Sequence, residues 1–310
     1  MFDAAVIVLR WVQMTGAMIL FGSSLFFLYG LPRTGPDSAA GQRWARPMLL
    51  ASAAAILVAS LLGLLAQTVA LAGSVQDGLT PDALGAAVTQ MSFGKSSCAR
   101  AVLAGFAIAG LAVVRPGAGA WRLTSVLGAV ICASLAWMGH GAATEGAAGP
   151  LHLASDILHT LAAGVWIGAL VVFLLLLATD GRRSEAGRDV LHRALRGFSG
   201  MGSGVVAVLV ATGLVNGWFV IGPAGVGRLW TSAYGQLLTL KLVLFVAMAG
   251  LAAMNRFHLT PRLGAALDGQ APTQGAIAAL RSSLAWETGL SIAVIALVAW
   301  FGMLAPPSAS

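Results

Sequence analysis

The chain has 310 residues, of which 58% are hydrophobic and 9% charged, with a formal net charge of +7 and a mean hydropathy of +0.87. A soluble domain carries roughly 25% charged residues, so the soluble globular classes are excluded, and so little charge on so apolar a chain also excludes disorder. Two cysteines cannot build a disulfide framework or a thiolate cluster, and the basic balance is what the cytoplasmic loops of a membrane protein carry, not a sign of nucleic-acid binding.

What remains is an all-α, polytopic membrane protein. A spanning helix needs about 20 mostly apolar residues, and eight stretches qualify: 4–28, 47–72, 98–114, 120–140, 152–178, 198–220, 236–257 and 282–304. The first span has Asp3 where a signal peptide would be basic. Its apolar run is also too long for a cleaved leader, so it is expected to stay in the mature protein. Between the second and third spans, residues 75–91 are polar and then weakly amphipathic. They are expected to form a helix at the membrane surface that starts at Thr80-Pro81-Asp82. A second such element is expected over 226–234. The chain divides into an N-terminal four-helix half (1–140, with its surface helix near 81–91) and a C-terminal four-helix half (141–310).

The loops after the first, third, fifth and seventh spans hold thirteen arginines: Arg33, Arg43, Arg46, Arg115, Arg122, Arg182, Arg183, Arg188, Arg193, Arg196, Arg256, Arg262 and Arg281. Five basic residues lie elsewhere: Arg10, Lys95, Arg100, Arg228 and Lys241. The positive-inside rule then predicts both termini outside, on the periplasmic side in a Gram-negative bacterium. An internal echo runs through the chain. Phe93-Gly94 precedes Arg100 as Tyr234-Gly235 precedes Lys241, and Phe21-Gly22 matches Ile167-Gly168. This alignment sets Gln13 against His159 and Arg10 against Asp156. With four helices per half, the two halves would form a parallel 4+4 repeat.

Ionisable groups inside spans are costly and call for a reason. The densest set is in the fifth span: His152, Asp156 and His159. At about 100° per residue they share one face, and Trp166 continues it. His140, at the outer end of the fourth span, reaches the same level through a short glycine-rich loop. Imidazole and carboxylate are ligands for borderline metals, and thioethers suit Cu(I). The expected metal-binding residues are therefore His140, His152, Asp156 and His159. Met14, Met18 and Met138 are candidates for added soft ligands, with Met91 nearby, although methionine also fills helical cores. His192 and His258 sit beside arginines and read as solvated. Arg10 and Lys241 lie inside the outer boundary, where they can pair with Asp156 or hold an anion. On the inner side, Glu287 is expected either to pair structurally with Arg256, next to Asn255, or to line an exit path. Cys98 and Cys132 lie at different depths and are expected to stay unpaired.

Asp156-Ile-Leu-His159 followed by Ala162-Ala163-Gly164-Val165-Trp166-Ile167-Gly168 resembles a segment of the CopD copper-resistance family. Thr212-Gly213-Leu214-Val215-Asn216 with Tyr234-Gly235 and Lys241-Leu242 is similar to its next block. Met254-Asn255-Arg256 with Thr260-Pro261-Arg262-Leu263, then Glu287 and Pro306-Pro307, fit the remainder. The likeness runs from about His140 to the end and is looser before. It implies a bacterial inner-membrane protein of copper homeostasis, not an enzyme, that moves copper from the periplasm toward the cytoplasm. It also implies a separate small periplasmic copper-binding partner.

A second reading is a haem b-binding redox protein. A helix histidine followed by W-x-G also resembles the small HemJ-type protoporphyrinogen oxidases. His159 would then be an axial ligand, and Arg10 and Lys241 would hold the propionates. No second axial histidine stands in the first span, where the aligned residue is Gln13. A third reading, a structural subunit without a site, leaves the buried His/Asp set unexplained.

Overall fold

The structure is a computed structural model and describes residues 2–33, 35, 38–39, 41–138, 144, 146–179, 185–270 and 272–304. Among these, eight helices are long and apolar enough to cross a membrane, and no strand is present. The spanning helices are α1 (Phe2–Tyr29), α2 (Ala45–Ala72), α5 (Ser92–Val113), α6 (Ala118–Ser134), α7 (Gly149–Thr179), α8 (Glu185–Gly225), α9 (Ala233–Met254) and α11 (Thr273–Phe301). All-helical spans follow from the bilayer itself, because every backbone N–H and C=O must be satisfied within the segment.

The punctuation between helices is local chemistry. Gly73 ends α2 at φ 78°, a left-handed C-cap. A short turn of helix, α3 (Val75–Gly78), and then α4 (Pro81–Gln90) occupy the expected surface segment. Thr80 caps α4, its Oγ1 accepting from Ala83 N at 3.3 Å. The third span starts six residues earlier than hydropathy alone marks, because Ser92–Ser97 continue the helix despite their polarity. The sixth is also longer than its apolar core and bends at Gly222 (φ 63°, ψ 166°) before a 3-10 turn, Val226–Leu229. Ser232 caps α9 through Gly235 N at 3.1 Å. The seventh span does not stop cleanly. α9 runs into a π-helical turn, Asn255–Leu259, and on into α10 (Thr260–Leu267).

At the centre, α1 crosses α7. Gly22 and Gly168, the two glycines aligned by the internal echo, meet there. A Cβ on Gly22 would overlap the Gly164 carbonyl, and one on Gly168 would overlap the Gly22 backbone. Ser23 Oγ donates to Gly168 O at 3.2 Å across the same contact. Small residues allow this approach where lipid supplies no hydrophobic drive between helices. α2 and α6 pack on α1, α8 packs on α7, and α9 packs on α11. α7 is the most enclosed span and α9 the most exposed. At the arginine-rich end Phe26, Phe173, Phe198 and Tyr29 form an aromatic cluster.

Candidate functional site

α7 carries His152, Asp156 and His159 on one face, as their spacing requires, and each finds a different partner. His152 is buried, with Nδ1 2.7 Å from Thr144 Oγ1 and its ring stacked on Phe219 at 4.7 Å and 11°. Asp156 Oδ1 accepts from Asn216 Nδ2 at 3.4 Å. His159 Nδ1 lies 2.9 Å from Thr212 Oγ1. Thr212 and Asn216 are four apart on α8, so the T-G-L-V-N segment presents both to α7 on one face.

The Thr212 hydroxyl fixes the tautomer of His159. Its Oγ1 sits 2.6 Å from Val208 O, one turn back, so its single proton is donated there. Toward His159 it can only accept. The hydrogen-bond network therefore assigns the imidazole proton to Nδ1 and leaves the lone pair of Nε2. A histidine held through Nδ1, with Nε2 not used by Thr212, has the form of an oriented metal ligand.

Lys241 of α9 is within electrostatic reach of both Asp156 and His159. Its Nζ also lies 5.7 Å from the Phe301 ring centroid. Of the two cations expected near Asp156, Lys241 is there and Arg10 is not. Arg10 donates to Met138 O at 2.8 Å and to Met303 Sδ at 3.5 Å, and packs on Gly302. Its guanidinium ties the ends of α1, α6 and α11 together instead.

The residue that hydropathy gave least reason to single out is Arg100, which is 0% exposed. Its Nε donates to Gln13 Oε1 at 3.0 Å, one terminal nitrogen to Ser134 O at 3.2 Å and the other to Ser97 Oγ at 3.1 Å. Gln13 in turn donates to Ala59 O at 2.9 Å. The echo with Lys241 marked the position, but no partner for it was visible in the sequence.

Nearer the arginine-rich end, Glu287 is 2% exposed. Its Oε1 accepts from Trp166 Nε1 at 2.6 Å and its Oε2 from Asn255 Nδ2 at 2.7 Å. The expected Glu287–Arg256 pair is not formed. Arg256 donates to Ser203 on α8 and lies over its neighbour Phe257, 5.1 Å from the ring centroid. The π-helical turn starts at Asn255, and it is Asn255, not Arg256, that reaches Glu287.

Met18 is buried beside Gly164 at the α1–α7 crossing, while Met14 and Met138 pack against the same core. Met91 is exposed at the start of α5. His258 is exposed, but His192 is half-buried against Gly264 of α10, because α8 extends beyond its apolar part and folds against that helix. Cys98 and Cys132 are both free. His140 lies outside the described residues. Among the described residues no three His, Cys, Asp or Glu side chains gather at metal-binding range. The α7 set is thus a row of separately tethered groups rather than a closed cage.

Two family models match the chain. One, described as copper resistance protein D-like, N-terminal domain, covers residues 1–150. The other, copper resistance protein D, covers 192–301. Among curated proteins the chain is 36% identical to copper resistance protein D of Pseudomonas syringae pv. tomato, over 99% of this chain and 98% of that protein. It is 28% identical to inner membrane protein YebZ of Escherichia coli K12, over 93% and 94%. It is 34% identical to copper transport protein CutJ of Bacillus subtilis 168, over 40% of this chain and 22% of that protein. No solved structure matches. None of these relatives is named for haem, and Gln13, which stands where a second axial ligand would be sought, is committed to Arg100 and Ala59. With both halves matched and one relative aligned end to end, the chain belongs to the copper resistance protein D family.

Proposed function

We propose that this protein is a multi-pass inner-membrane copper transporter that receives copper at the end of the bundle carrying both termini and moves it toward the cytoplasm. The observation that carries this reading is the tether of His159. Thr212 holds Nδ1–H and leaves Nε2 ready to ligate, one turn from the Asp156 carboxylate. Lys241 offsets the Asp156 charge while no ion is bound, which keeps the empty site electrically balanced inside the membrane. His152 and Asn216 line the approach, and His140, two residues beyond Met138, completes the ligand set in this reading. Copper is the cargo here, so separately tethered ligands suit the task better than a tight cage, from which an ion would leave slowly. A small periplasmic copper-binding protein supplies the ion.

The excess of arginine in alternate loops orients the protein with both termini in the periplasm. A C-terminal reporter active only in the cytoplasm should therefore stay silent, and activity there would reverse the direction of transport. The site itself is tested by copper bound per purified protein. His159→Ala should lose copper binding at the α7 site while keeping a monodisperse size-exclusion profile, and cells carrying it should lose the copper phenotype. Full binding and phenotype in both His159→Ala and Asp156→Ala would reduce the row to a structural network. A Soret band in the purified protein would replace copper with haem.

A further inference from the structure

Glu287 is left over by the site on α7. It is a buried carboxylate in the middle of a spanning helix, and both of its partners, Trp166 and Asn255, are neutral donors. A carboxylate in hydrocarbon needs an opposite charge or several strong hydrogen bonds. Two N–H donors leave much of its acceptor capacity unused. Beside it, Asn255 Oδ1 is buried without a hydrogen-bond partner, although Asn255 is only 6% exposed. An orphaned amide oxygen next to an under-satisfied carboxylate is a second observation that leaves room for a donor or a cation between the two side chains. The third feature is Met248, on the same face of α9 as Asn255. It is buried, and its Sδ is 3.8 Å from Ser291 Oγ, one turn beyond Glu287 on α11. Asn255 itself opens a π-helical turn, a distortion that costs stability and recurs at functional sites.

We infer that Glu287, Asn255 and Met248 form a second ion site, in the half of the membrane nearer the arginine-rich loops, that takes a monovalent copper ion. One carboxylate supplies one negative charge. In a low-dielectric setting a +1 ion leaves the site neutral, whereas a +2 ion leaves an uncompensated charge, so Cu(I) is favoured over divalent ions. The thioether adds the soft donor that Cu(I) prefers. Turning the Asn255 amide about its last bond exchanges Nδ2 for Oδ1. The same two side chains thus offer a hydrogen bond when empty and two oxygens when loaded. Trp166 holds the other carboxylate oxygen in place. Trp166 also lies on α7 seven residues after His159, about 10 Å along the axis and on the same face. The two sites are therefore successive positions along α7. The inference rests on the copper-transport reading, but its ligands are distinct from those of the His159 site.

The test is equilibrium Cu(I) titration of the purified full-length protein in detergent, with Zn(II) as the divalent control. Wild type should bind one Cu(I) equivalent that His159→Ala removes and another that survives it. Glu287→Gln should remove that second equivalent and keep the first, because the glutamine amide can still meet Trp166 and a turned Asn255. Met248→Leu, which conserves volume, should weaken the same equivalent and guards against misfolding of the Gln variant. Zn(II) should not fill the second site. Retention of both equivalents in Glu287→Gln and Met248→Leu overturns the inference and leaves the His159 site standing. Loss in these two variants, with His159→Ala unchanged, overturns the His159 site and leaves this one standing. Zn(II) binding that Glu287→Gln abolishes overturns the charge argument, and a wild type that binds no Cu(I) overturns both sites.

Discussion

Arg100 in the first half and His159 in the second are both polar groups held inside spanning helices, and they are held in opposite ways. The guanidinium of Arg100 is fully enclosed, and each of its three nitrogens donates to a neighbouring helix or its own. No nitrogen of the guanidinium is left without a protein partner. His159 is half-buried and uses one nitrogen on Thr212, which leaves Nε2. The surroundings differ accordingly. α2 lies along α5 beside Arg100, whereas around His159 the helix α8 follows α7 and α9 follows α11. A buried cation with a protein partner at each of its nitrogens is a clamp. A buried imidazole with one nitrogen used is, under the copper-transport proposal, a positioned ligand. The same device, a polar group inside a span, serves assembly in one half and, under the copper-transport proposal, ligation in the other, and the unused lone pair is the difference between them.

The sharpest way to break this comparison is to remove the clamp. Arg100→Ala leaves Gln13, Ser97 and the Ser134 carbonyl without their donor and opens a void, a loss on the order of 2–5 kcal/mol. Thermal unfolding in detergent and the level of protein in membranes should both drop sharply. A stable Arg100→Ala protein that loses only copper binding would make Arg100 part of the site. The next effect concerns the tether. Thr212→Val keeps the shape but removes the acceptor for His159 Nδ1–H, so the ring loses its orientation and tautomer. Copper affinity should fall by roughly 10–100-fold with little change in unfolding temperature. An unchanged affinity would mean that Thr212 does not set the tautomer. The smallest effect is expected at the edge of the row. His152 is already occupied by Thr144 and stacked on Phe219, so His152→Ala should weaken copper binding without abolishing it.

Hydropathy and charge, read along the chain, sufficed for the eight spans, the short helix after Thr80 and the shared face of His152, Asp156 and His159. These are properties of one helix at a time: its length against the bilayer, its capping residue, its 3.6-residue period. The α1–α7 crossing was half visible, since Gly22 and Gly168 stood out as an aligned pair but not as a mutual contact. Which helix faces which was not legible, and the pairings of the buried charges depend on that alone. Glu287 and Arg256 looked like partners because opposite charges at one depth attract. The π-helical turn brings Asn255 to the carboxylate instead, and Arg256 turns to Ser203. Arg10 looked like a partner for Asp156 and serves as a tie between helix ends. Thr212 was one letter in a motif until its hydroxyl was seen between Val208 and His159. Sequence period fixes the direction of a side chain around its own axis. The group that waits in that direction is chosen by how closely the helices approach and how they are turned, and here those were decided by glycine contacts, a π-helical turn and the enclosure of α7.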